Sequence, residues 1–111
     1  MIEDYKFGKI TINGRTYSGD LEISQEEVTL WQVNDHHCLS IEDIQPAINK
    51  NPEVIIFGAG YSGFVNIPVE MQRLIKSKGI KLIIRKTEEA VEEYNRLSRK
   101  KKVIALFHLT C

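Results

Sequence analysis

A short apolar run that meets a glycine loop constrains this chain more than any other feature. Val54-Ile-Ile-Phe57 contains no polar residue, and Gly58-Ala-Gly-Tyr-Ser-Gly63 follows at once. A strand that is apolar at every position must be covered on both faces. The loop matches the dinucleotide fingerprint G-x-G-x-x-G letter for letter. That fingerprint works only when a helix starts inside it and aims its free N–H groups at the pyrophosphate. Here the next helix signal is Pro68, after the apolar stretch Phe64-Val65-Asn66-Ile67, which suits extended backbone. The next strand candidate ends in Arg85 and Lys86, not in the acid expected roughly 20 residues on to hold a ribose. Dinucleotide binding is therefore disfavoured. One reading has the glycines supply only positive-φ turns and close backbone approach; the favoured reading has the loop also line a small pocket, for example for an anion held by backbone N–H groups.

The flanking pattern predicts an α/β fold. Tyr5–Ile12 alternates loosely and Asn13-Gly14 is a two-residue hairpin signal. Arg15–Ile23 reads as the returning arm, with Gly19 a bulge. Val28–Val33 alternates β-branched and aromatic residues and reads as a third strand. Residues 34–39 form a polar turn. Ser40 and Asp43 have capping-box spacing, and Ile41, Ile44 and Ile48 recur at helical spacing, so 40–50 is a helix that Asn51-Pro52 ends. Strand and helix then alternate: Val54–Phe57, helix Pro68–Lys78 with Gly79 at its C′ position, strand Ile80–Arg85, a helix capped by Thr87, and strand Val103–Leu109. Ala90, Val91, Tyr94 and Leu97 form the last helix's buried stripe. The helix-linked strands Val54–Phe57 and Ile80–Arg85 should be parallel through a right-handed crossover, while the direction of Val103–Leu109 is left open. The expected architecture is a single domain over 1–111: a three-layer α/β unit, a central mixed sheet with helices packed on it, and a smaller β-hairpin layer.

Charge narrows the partners. Fifteen Lys and Arg balance fifteen Asp and Glu, so no net field draws the chain to nucleic acid or membrane. The basic run Arg99–Lys102 sits where a helix ends and offsets the negative end of its dipole. No stretch is long enough to span a membrane. The start is acidic, without the apolar segment of a secretory signal or the Arg-rich character of a mitochondrial presequence, so a cytoplasmic protein is expected.

Candidate chemistry is incomplete. His36, His37, Cys38, His108 and Cys111 are the soft ligands, but their spacing does not suit zinc, and no metal or cofactor is expected. Ser62 lacks the G-x-S-x-G turn that leads straight into a helix in hydrolases. Cys111 lies three residues from His108, but the terminal carboxylate opposes a thiolate. Trp31, the sole tryptophan, is expected in the core or stacked on a ligand. Tyr61, at the loop tip, suits contact with a ligand or a protein.

Several segments together resemble a known family. They are Asn13-Gly-Arg-Thr-Tyr17 with Asp20, His37 before Leu39-Ser40, Phe57–Gly63, Thr87-Glu-Glu-Ala-Val91 with Asn95, and the closing His108-Leu-Thr-Cys111. The family is that of the small MTH-type α/β domains, which includes the mitochondrial complex I assembly factor and the adipogenesis-associated protein of animals. The resemblance implies a compact central-sheet fold with no established enzymatic activity, and animal relatives that act through other proteins. Two functions are carried forward. The first is a non-catalytic interaction or assembly module whose contact surface includes Tyr61, Phe64 and Val65, with another protein as partner. The alternative is a small-molecule- or anion-binding protein or enzyme. Its site would use Gly58, Gly60, Tyr61, Ser62, Gly63 and Trp31, with His37 as the ionisable group.

Overall fold

The computed structural model describes residues 1–25, 27–33, 35 and 38–110. Its centre is a five-stranded mixed sheet. The strands β4 (Leu21–Ser24), β5 (Glu27–Leu30), β6 (Val54–Ala59), β7 (Lys81–Arg85) and β8 (Val103–His108) run in the order β5-β4-β8-β6-β7. β6 and β8 are parallel and buried along their whole lengths. Their apolar continuity follows from position, since layers cover both faces.

Alternation along these strands sorts the core into two halves. Val54, Ile56, Ala105 and Phe107 pack with Ala90, Tyr94 and Leu97 of helix α3 (Thr87–Leu97). The same half includes Ile2, Ile10 and Ile12 from a separate antiparallel sheet. That sheet consists of β1 (Ile2–Lys6), β2 (Lys9–Ile12) and β3 (Arg15–Tyr17). Ile55, Phe57, Ile104 and Leu106 face the other way. They pack with Ile44 and Ile48 of α1 (Ile41–Asn49) and Met71 and Ile75 of α2 (Val69–Ser77). The three-layer α/β architecture with an added small β layer is therefore as expected.

Local signals explain most boundaries. The Asp43 carboxylate accepts the Ser40 N–H at 2.8 Å, closing the capping box of α1. Gly79 takes a φ of +77° just after α2. Four expectations need correction. The predicted strand Tyr5–Ile12 is two strands, because Gly8 turns the chain with a φ of +81° and its N–H donates to Leu109 O. The arm Arg15–Ile23 divides between the two sheets. The Asp20 carboxylate accepts the Leu109 N–H, which draws β4 to β8, and Gly19 lies in this crossing rather than in a bulge. β5 stops at Leu30, and Trp31 turns in against Phe57 on the α1–α2 side. Thr87 is the first helical residue of α3, with Lys86 as its N-cap. The last strand, whose direction was open, is parallel to β6 and antiparallel to β4.

One close approach holds α3 to the sheet. A Cβ at Gly58 would lie 2.7 Å from Phe107 Cδ1 and 3.0 Å from Thr87 Oγ1. Gly58→Ala is expected to destabilise the protein by about 1–3 kcal/mol, the usual range for overpacking a filled core. Urea unfolding measures this.

Candidate functional site

The carboxyl ends of β6, β7 and β8 point the same way, so the N-termini of α1, α2 and α3 gather at that end. The glycine loop crosses it. Gly60 and Gly63 adopt φ values of +97° and +77°, which only glycine takes readily. The loop's N–H groups turn inward. Gly60 N donates to Thr87 Oγ1 at 2.9 Å, Tyr61 N to Thr110 O at 2.8 Å, and Gly63 N to Gly60 O at 3.2 Å. The Thr87 hydroxyl donates in turn to His108 O at 2.6 Å. These donors are already committed, so an anion cradle here would have to break bonds that hold the fold. The loop also opens no helix. The chain continues extended, Asn66 bridges to Cys38, and α2 begins only at Val69. The geometry that a pyrophosphate needs is not built here.

The outer side of this end is apolar. Phe7 and Tyr61 are 55% and 52% exposed and meet edge to face at 5.7 Å, and Phe64 is 73% exposed. Leu30, Ile41 and Val69 are exposed at the same end, because each terminates or starts an element there. Met1, the other exposed large apolar residue among those described, lies at the far end of β1. Val65 is buried, with its N–H on Ala59 O at 3.1 Å, and so leaves the expected contact set.

The remaining candidates separate. Trp31 is buried, and its indole N–H donates to Asp43 O at 3.0 Å. Ser62 is half-buried, and among the described residues no histidine bonds its hydroxyl. His36, His37 and Cys111 lie outside the described residues. Among those described, no group of His, Cys, Asp and Glu could hold a metal ion. His108 is buried. Its Nδ1 lies 2.7 Å from Asp20 Oδ2, and its Nε2 lies 3.3 Å from Thr110 Oγ1. An acid, an imidazole and a hydroxyl in this order have the composition of a nucleophile relay. Here Asp20 also takes the Leu109 N–H at 3.0 Å and the Thr110 carbonyl takes the loop, so the trio ties three segments together. Phe7 is the participant that sequence reasoning missed, and Asp20 entered it only through the family resemblance, with no role at this end. The Phe-Gly pair between Lys6 and Lys9 was the available sign of an exposed turn.

Two clefts open at the opposite end of the sheet, of about 470 and 370 Å³. Residues of the glycine loop line neither.

Comparison with known proteins matches this frame. Residues 2–108 match the family described as "Protein of unknown function (DUF498/DUF598)". The chain belongs to that family. A curated relative in Danio rerio, NADH dehydrogenase [ubiquinone] 1 alpha subcomplex assembly factor 3, is 26% identical over 107 residues. The match takes in 95% of this chain but only 61% of the relative's length. Among solved structures, the conserved hypothetical protein PH1505 from Pyrococcus horikoshii superposes with a TM-score of 0.91 at 24% identity, covering 100% of this chain and 99% of its own. A protein designated MT938 gives 0.83 at 26%, covering 100% and 98%. An outer membrane protein from Bartonella henselae gives 0.83 at 21%, covering 99% and 94%. These likenesses establish the fold. No helix among the described residues is long and apolar enough to cross a membrane.

Tyr5 reports on this end of the molecule. Its hydroxyl donates to Leu109 O at 2.8 Å. Burial pushes its phenol above the ordinary value of 10.0; Tyr61, Glu88 and Asp20 add to the rise, and the Thr87 hydroxyl opposes it. A raised folded-state value means the stabilisation is complete below the unfolded value and is lost as pH rises through the folded one. Unfolding free energy should therefore fall above pH 10.0 more steeply in the wild type than in Tyr5→Phe, as paired urea titrations across that range would show.

Proposed function

We propose that this chain is a non-catalytic interaction module of the assembly-factor type, and that it engages a protein partner through the apolar rim at the carboxyl ends of β6 and β8. The observation that carries this reading is the placement of Phe7, Tyr61 and Phe64, exposed together on the end where the glycine-loop donors face inward. Exposed aromatic side chains are the usual anchors of protein interfaces, whereas a ligand site needs a concavity with convergent polar groups. The Danio rerio relative, named as an assembly factor, supports a role exercised through other proteins. The cytoplasm remains the compartment this reading expects, in keeping with the free, exposed Cys38 thiol.

The glycines shape the rim in this account. They let the loop fold back so that Tyr61 projects against Phe7. Tyr61→Ala with Phe64→Ala should leave the melting temperature within a few degrees of wild type, because both side chains are mainly exposed. The same variant should lose the protein partners that wild type captures by cross-linking in its native extract. Full retention of every partner by the folded double variant would exclude this surface.

A further inference from the structure

The zero net charge does not preclude a local cluster of one sign. Glu42, Asp43, Glu70, Glu88 and Glu89 occupy the first turns of the three helices, at the glycine-loop end. Lys50, Lys76, Lys78, Lys81 and Arg99–Lys102 collect at the opposite end, where the helices finish and β7 begins. Among the cations, Arg99, Lys100, Lys101 and Lys102 line the cleft of about 370 Å³, together with Ser98 and Gln25.

Neutralising a helix end does not account for this cluster. The C-terminus of a helix carries roughly half a negative charge, and four cations follow α3 in succession. Two of the carbonyls there, those of Tyr94 and Leu97, already accept backbone N–H groups. Ser98 N donates to Tyr94 O at 2.9 Å, and Lys100 N and Lys101 N both donate to Leu97 O at 3.0 Å. The neighbouring charges are also committed elsewhere. The Lys102 ammonium donates to Lys50 O, Lys50 pairs with Glu22, and Glu53 accepts the Lys102 N–H at 2.8 Å. Among the described residues, Arg99, Lys100 and Lys101 form no ion pair, and all three are exposed.

We infer that this cleft binds a small, multiply charged phosphate compound of the triphosphate class. Three exposed cations that form no ion pair among the described residues border one cleft and match a compact polyanion. The guanidinium provides a two-pronged donor and the lysines provide movable point charges. The Ser98 hydroxyl and the Gln25 amide add neutral donors, and the volume lies within the range of about 300–1,000 Å³ usual for small-molecule sites. A nucleic-acid strand fits less well. Its binding uses a charged track with exposed aromatic platforms, and the only aromatic here, Tyr94, is fully buried. This site is distinct from the apolar rim, and either can fail without the other.

The test is a titration of the protein with inorganic triphosphate at about 50 mM salt, where screening is modest, followed through backbone amide shifts. Saturable one-site shifts centred on residues 98–102 and Gln25 are expected. Arg99→Gln with Lys100→Gln and Lys101→Gln should weaken binding at least about tenfold, whereas Lys76→Gln with Lys81→Gln, which removes charge from the same end, should change it less than about twofold. The single variants Lys100→Gln and Lys101→Gln serve if the triple variant melts early. Absence of saturation at millimolar triphosphate would overturn the proposal. So would equal weakening by both sets of substitutions, which would show a general field and not a site. A single-stranded DNA oligomer that binds these residues more tightly as it lengthens, while triphosphate does not bind, would assign the cluster to nucleic acid instead.

Discussion

The glycine-loop end depends on one hydroxyl. Thr87 Oγ1 accepts the Gly60 N–H and donates to His108 O, and so joins the loop after β6 to the end of β8 through the first residue of α3. The arrangement exists because Gly58 lacks a Cβ, leaving α3 free to press its first turn onto the sheet. Both bonds are buried, where an orphaned partner costs about 1–3 kcal/mol. From this clamp follow the inward turn of the loop, the commitment of its N–H groups and the outward display of Tyr61. A motif that elsewhere serves a cofactor serves here to close one end of a sheet.

Much of the fold was legible because it rests on local rules. Val54–Phe57 is apolar at each position and lies in the centre of the sheet, Ser40 and Asp43 cap α1, and Gly79 ends α2. Two of the errors share one physical origin. Asp20 leaves the small sheet because its carboxylate reaches Leu109, 89 residues away, and Gly8 turns because its N–H meets the same residue's carbonyl. No window of sequence contains such pairings. Thr87 has the chemistry of a cap and lies where a cap was expected, but its hydroxyl serves two other segments and α3 takes Lys86 as its N-cap.

The site was legible in the same uneven way. Tyr61 follows from its place on the loop tip and Phe64 from the apolar stretch after it, and both are exposed. Val65, one residue on, faces inward because its N–H returns to Ala59 O, and Phe7 joins the rim from the other end of the chain. Composition was least informative about charge. Equal numbers of acids and bases imply no field only if they are mixed, and Arg99–Lys102 stand together past the end of α3.

Amide hydrogen exchange at Gly60, Tyr61 and Gly63 tests the central claim most directly, in wild type and in Thr87→Val. If the loop is a structural closure, all three amides exchange slowly without any ligand, and Gly60 loses protection when the Thr87 hydroxyl is removed. Fast exchange at all three in the wild type, slowed only when pyrophosphate is added, would contradict the account and return the loop to anion binding.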